Sequence, residues 1–223
     1  MKQQNQHQRV LVVLPHPDDE CSVSGSLARY IDEGAEITYA CLTLGEMGRN
    51  MGNPPFANRV TLPLIRREEL IASCRSIGIQ DLRMLGYHDK TVEFADQDKL
   101  DADLLAIIED VKPTLIHTFY PGYSVHPDHD ATGAAVIRVL ERLPVGQRPE
   151  VRCVAFSKGC EEALGPPDIV ADVTPYLKQK GGSFQAHRSQ FYLFFGTKPL
   201  DHPEVVARLS TERFWTYSFT ASI

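Results

Sequence analysis

The segment Arg9 to Leu14 reads RVLVVL, and after its first residue it offers no position suited to water. An unbroken β-branched and leucine run of this length fits a strand covered on both faces, as in the centre of a parallel sheet. Pro15 ends it. Ser24 to Glu33 then carries Leu27, Ala28 and Ile31 at helical spacing before Gly34, and Glu36 to Leu42 returns to strand character. The rest of the chain repeats this alternation. A helix containing Leu64, Ile65, Leu70, Ile71 and Ile77 is expected to stop at Gly78, followed by a strand at Asp81 to Leu85. A helix at Asp98 to Val111 precedes Lys112-Pro113, a strand at Thr114 to Phe119 and a helix at His129 to Leu143. Strands at Val151 to Phe156 and Ile169 to Val173 lead to a last helix from Thr174 to about Gln190, with Gly181 and Gly182 inside it. Strands alternating with helices imply right-handed crossovers, so the expected fold is α/β: an open, mostly parallel, Rossmann-like sheet with helices on both faces.

The chain has 223 residues, about 1.5 times a common domain length of ~150, which favours one domain over 9–223 behind a polar tail at 1–8. Apolar residues make up 43% and charged residues 23%, which excludes a disordered or fibrous protein. With 23 Lys and Arg against 29 Asp and Glu, the formal charge is −6, and no basic run has the density of a nucleic-acid or anionic-membrane footprint. The expected partners are therefore small molecules, not nucleic acid or membrane. The five cysteines form no C-x-x-C pair, and VLVVL is too short for a signal core or a membrane span. Both point to a reducing, cytoplasmic setting.

In open α/β sheets, ligands bind beyond the carboxyl ends of the strands. The segments following four expected strands read PHPDDE (15–20), TLGEMGRN (43–50), GYHD (86–89) and YPGYSVHPDHD (120–130). Two of them bring the imidazoles and carboxylates that a zinc site needs from strand ends far apart in sequence. A plainer reading is available for each: Asp18, Asp19 and Glu20 as the acidic first turn of a helix, His-Pro-Asp-His as a polar loop. HPDDE alone, however, has a chance frequency on the order of one in ten thousand in such a chain. A second His/Asp cluster on another strand end makes coincidence poorer still.

HPDDE after a first strand, with HPDH after a later one, resembles the LmbE-like zinc-dependent N-acetylglucosaminide deacetylases. That superfamily includes deacetylases of glycosylphosphatidylinositol precursors, mycothiol and bacillithiol. The likeness runs from Val10 to about Gln190 through TLGEMGRNMG, Arg66-x-x-Glu69, MLGYHDKT and AHRSQ. It is nearest to the second type of bacillithiol biosynthesis deacetylases. The resemblance implies one zinc ion per chain held by His16, Asp19 and His129, with other divalent ions as alternatives, and Asp18 as general base. It implies His126 as an imidazolium facing the tetrahedral oxyanion, Asp128 orienting it, and Glu46, Arg66 and Asp89 at the substrate pocket. The implied reaction is hydrolysis of the acetamide of an N-acetylglucosaminyl conjugate, N-acetylglucosaminyl malate above others, by a homo-oligomer, a trimer or hexamer. Other acetylated sugars, a thiol conjugate's amide, or sugar binding without turnover are the alternatives.

One departure concerns the mycothiol deacetylases, which place a tyrosine two residues before the first histidine of HPDH. Here that position is Ser124, with Tyr123 beside it. Arg66 also reads as a helix-face ion pair with Glu69 or Glu93. His117, inside TLIHTF, reads as a hydrogen-bonded core histidine. Cys21 reads as packing, His187 as packing or indirect support, and Trp215 with Phe214, Tyr217 and Phe219 as a terminal strand or an oligomer contact.

Overall fold

A computed structural model describes residues 8–191, 198–199 and 201–219. The polar tail therefore lies almost wholly outside the described residues. In chain order the elements are β1 (Arg9–Leu14), α1 (Ser24–Asp32), β2 (Glu36–Cys41), α2 (Leu62–Ile77), β3 (Asp81–Met84), α3 (Gln97–Val111) and β4 (Leu115–Phe119). They continue with α4 (Pro127–Glu141), β5 (Glu150–Val154), α5 (Cys160–Leu164), β6 (Ile169–Asp172), α6 (Leu177–Ala186), α7 (Arg188–Phe191), α8 (Pro203–Leu209) and β7 (Thr211–Thr216).

All seven strands form a single sheet in the order β3-β2-β1-β4-β5-β7-β6. Pairing is parallel from β3 through β5, whereas β7 runs antiparallel to both β5 and β6. β1 explains the double burial of RVLVVL. Val10, Val12 and Leu14 enter one apolar cluster with Leu27 of α1 and Leu70 and Cys74 of α2, while Leu11 and Val13 enter the opposite cluster with Leu104 of α3 and Val136 of α4. A strand with a helix layer on each face leaves no position for a charge. The strand order reverses direction between β1 and β4, which are direct neighbours with Val12 opposite His117. That is the topological switch point, where diverging connections leave a crevice at the carboxyl ends.

The last long helix is shorter than expected. α6 ends at Ala186 and the chain turns at His187 before α7. Gly182 inside α6 serves contact: a Cβ there would lie 2.2 Å from Ser76 Oγ of α2, so the two helices pack closely at this point. α5 and α8 were not expected. α8 opens with His202 as N-cap, Pro203 at the first position, and Glu204 N–H donating to His202 Nδ1 at 3.3 Å. α4 opens in the same way, with Asp128 N–H donating to His126 Nδ1 at 3.2 Å, two residues before the expected start at His129. Trp215 lies buried on β7 and donates its indole N–H to Gly165 O at 2.9 Å, so it is a strand residue of the sheet. All five cysteines are buried and unpaired, and no helix among the described residues is long and apolar enough to cross a membrane.

Candidate active site

Beyond Leu14 the chain turns sharply, and Asp18 takes φ +99°, a left-handed conformation uncommon for a residue with a side chain. The Asp18 N–H is held by Glu20 Oε2 at 2.9 Å. This turn sends two adjacent carboxylates in different directions. Asp19 Oδ2 lies 3.3 Å from His16 Nδ1, and Asp19 Oδ1 lies 3.2 Å from His129 Nε2. Asp18 instead meets the Arg66 guanidinium at 2.9 Å.

His129 comes from the first turn of α4, beyond β4. Its ring stacks on Phe119 at 4.0 Å between centroids, and Nδ1 donates to the Ser124 carbonyl at 3.0 Å, leaving Nε2 with a free lone pair. The other histidine is fixed from its opposite nitrogen: His16 Nε2 donates to Asp128 Oδ2 at 3.1 Å, leaving Nδ1 free. The two free nitrogens lie 3.2 Å apart. Two imidazoles and a carboxylate thus form a triangle of groups, with His16 Nδ1 and His129 Nε2 3.2 Å apart and the Asp19 carboxylate spanning them, Oδ2 3.3 Å from the first and Oδ1 3.2 Å from the second. Ligands at the zinc distances of about 2.0–2.1 Å in a tetrahedron are separated by about 3.3–3.4 Å, so the donor types and the 3.2 Å spacing of the two imidazole nitrogens suit zinc. Each imidazole is also aimed by a hydrogen bond on its far nitrogen, as metal-ligating histidines usually are.

His126 stands beside the triangle, with a ring nitrogen within 4.8 Å of those of His16 and His129. Its Nδ1 accepts the N-cap hydrogen bond, which puts the ring proton on Nε2. Burial, then the charges of His16 and His129, lower its pKa. The Asp128 carboxylate is buried and bonded to His16, to Lys90 N at 2.6 Å and to Val92 N at 3.1 Å, and it reaches His126 through its own backbone N–H.

The three residues expected to meet substrate are already engaged. Arg66 is buried, donates to Gly45 O at 2.8 Å and to Pro17 O, and pairs with Asp18, not with Glu69 or Glu93. Gly45, at φ +60°, is required here, because a Cβ would fall 1.8 Å from Arg66 Nη1. Asp89 is buried with Oδ1 3.2 Å from His16 Nε2 and Oδ2 accepting from Met47 N at 2.7 Å. Glu46 Oε1 accepts from Asp89 N at 3.0 Å and meets His88 at 2.7 Å, while its Oε2 is buried without a partner. Burial pushes the Asp18 carboxyl up to about 6; the Arg66 guanidinium opposes this and Asp19 adds to it. Asp19 falls well below the usual carboxylate range although burial works against it, because His129 and His16 surround it.

Behind the turn lies a second buried polar group that spacing did not single out. Glu20 bonds to His187, Ser73 and the Asp18 amide, and Cys21 packs with its Sγ 3.1 Å from Ser183 Oγ. His187 thus supports Glu20 at a distance from the triangle. The open cleft in front of the triangle, about 350 Å³, is within the range of small-molecule sites. Its walls include Met47, Arg49, Lys90 and Gln190, none of them marked by the sequence motifs as site residues.

The PIG-L family model, described as GlcNAc-PI de-N-acetylase, matches residues 11–140. A Bacillus subtilis protein named probable N-acetyl-alpha-D-glucosaminyl L-malate deacetylase 2 is 48% identical over 217 residues, spanning 95% of this chain and 98% of that one. Among solved structures, an N,N'-diacetylchitobiose deacetylase from Pyrococcus horikoshii aligns with TM-score 0.72 and 21% identity over 95% of this chain and 84% of its own. A 4-carboxy-2-hydroxymuconate hydratase from Pseudomonas putida aligns with TM-score 0.74 and 18% identity over 97% of this chain and 98% of its own. A deacetylase and a hydratase share this fold, so the fold alone does not fix the reaction.

Proposed function

The chain belongs to the PIG-L family of GlcNAc-PI de-N-acetylases, and on that premise we propose that it hydrolyses the acetamide of N-acetylglucosaminyl L-malate, releasing acetate and glucosaminyl malate for bacillithiol biosynthesis. It is a deacetylase, a hydrolase acting on a small amino-sugar conjugate. The observation that carries the assignment of roles is the donor triangle of His16, Asp19 and His129, with the Asp18 carboxylate aimed elsewhere and held by Arg66.

Zinc is the metal this donor set suits, and when bound it supplies positive charge that polarises the acetyl carbonyl and acidifies the attacking water. The protein does the rest. Asp18, with a pKa of about 6, is ionised near neutrality and takes a proton from the water as it attacks. The Arg66 bond keeps that carboxylate from swinging toward the ligand positions. His126 presents a neutral Nε2–H to the developing oxyanion, and its cap bond to Asp128 N keeps the proton on that nitrogen. The proton held on Asp18 then passes to the departing amine nitrogen, which leaves as the C–N bond breaks.

The test is incubation of zinc-loaded protein with N-acetylglucosaminyl malate, measuring acetate and free amine. Equal amounts of both, abolished by a chelator and restored by zinc, are expected. Failure to release either product would refute the proposal.

A further inference from the structure

The cleft has an uneven charge distribution. Its floor holds Asp18, Asp19 and Asp89, all tied into the network around the triangle. Its rim carries two cations, Arg49 and Lys90, both exposed and neither in an ion pair among the described residues. Arg66, the third cation on the cleft wall, has its terminal nitrogens committed to Asp18 and two carbonyls, leaving only its buried Nε without a partner.

The backbone under each rim cation is fixed, and its side chain lines the cleft. Around Arg49, Arg59 donates to Gly48 O at 2.6 Å, Asn50 Nδ2 donates to Gln190 O at 3.1 Å, Gln190 Nε2 returns a bond to Asn50 O at 3.3 Å, and Gly52 N donates to Ser189 O at 3.1 Å. Lys90 has φ +66°, a left-handed conformation that glycine or asparagine adopts at lower cost, and its amide is bonded to the buried Asp128 carboxylate. Two preset attachment points therefore present unpaired cations across one opening. A chain with a formal charge of −6 repels anions at long range, so an anionic substrate needs a local cationic contact of this kind.

We propose that Arg49 and Lys90 form a cationic rim that takes the carboxylates of an anionic aglycone while the acetamide points to the floor, and that this pair sets the preference for acidic over neutral N-acetylglucosaminides. This rests on the reading of the site as an N-acetylglucosaminide deacetylase. The orientation follows from charge: carboxylates driven inward would meet three aspartates, whereas at the rim they meet an arginine fork and an ammonium.

The test compares kcat/KM for N-acetylglucosaminyl malate and the neutral methyl N-acetylglucosaminide in zinc-loaded wild type, Arg49→Gln, Lys90→Gln and the double variant. The ratio of malyl to methyl substrate is expected to fall about tenfold in each single variant and about a hundredfold in the double, through KM. Raising the salt concentration should shrink the wild-type ratio toward that of the double variant, because exposed charges are screened. A ratio that does not move in either variant overturns the proposal, as does a wild-type enzyme that favours neither substrate. Absence of acetate from both substrates in the wild type is a different result: it would remove the deacetylase reading itself, and the rim with it.

Discussion

His16 and His117 are both buried, one in the turn just beyond β1 and one within the adjoining β4, yet their environments are opposite. At the carboxyl end of β1, both ring nitrogens of His16 have polar neighbours at 3.1–3.3 Å. In the middle of β4, both ring nitrogens of His117 are buried without a hydrogen-bond partner, between Tyr30 and Phe214 at 5.8 and 4.9 Å. This corrects the expectation that His117 is hydrogen-bonded. The difference comes from position along the strand. Inside the sheet, backbone groups are consumed by the ladders and side chains enter apolar layers; past the strand ends, loops turn amides and carboxylates toward one crevice. The same residue type is held in a polar network in one place and in an apolar layer in the other.

Direct exchange tests the contrast most severely. His16→Ala should lower activity at trace zinc by at least about a hundredfold, whereas His117→Phe should stay within about threefold of wild type. Comparable losses in both variants, measured as acetate release, would erase the distinction. A smaller loss is expected one step back from the triangle. Asp128→Asn weakens the aim of His16, so zinc affinity should fall about 10–100-fold, with kcat recovering at saturating zinc. If saturating zinc restores nothing, Asp128 acts in the chemistry and not through His16.

The interior histidine should be visible in stability instead. Burial lowers the His117 pKa to about 3, with Arg152 and Arg29 adding to it. A folded-state pKa below the unfolded value of about 6.5 means that acid favours the unfolded chain: the contribution is complete above pH 6.5 and is lost as pH falls toward 3. Between pH 7 and pH 5 that loss is about 2 kcal/mol. His117→Phe should remove it, so urea-unfolding free energies of wild type and variant, measured without metal at both pH values, should differ in slope by this amount. Parallel slopes would mean that His117 already has a proton-binding partner.

The layered fold was legible because β1 carries its burial in an unbroken apolar run and β4 keeps Leu115, Ile116 and Phe119 around one histidine and one threonine. The start of α4 was less so: His126-Pro127-Asp128 is an N-cap signal hidden inside a motif that looks purely catalytic, and His202-Pro203-Glu204 repeats it at α8, where His202 joins no cluster of His, Cys, Asp and Glu side chains among the described residues. Residue types at the site could be read, but their pairings could not. Arg66 meets Asp18 from another helix, and Asp128 turns to His16 instead of its sequence neighbour, because both contacts exist only once α2, β1 and α4 are packed. Arg49 and Lys90 lie within TLGEMGRN and MLGYHDKT, but nothing in those segments marks them as a pair, and only the folded cleft brings them together.

Asp18 and Asp19 hold the central claim, since two adjacent carboxylates of identical chemistry are assigned opposite work by one left-handed turn. Zinc content and kcat of purified Asp18→Asn and Asp19→Ala, determined side by side by elemental analysis and acetate release, test it most directly. The account predicts close to one zinc per chain with at least about a hundredfold loss of kcat in Asp18→Asn, and a zinc-poor Asp19→Ala that regains part of its activity as zinc is added. Zinc-depleted Asp18→Asn beside zinc-replete, inactive Asp19→Ala would contradict it.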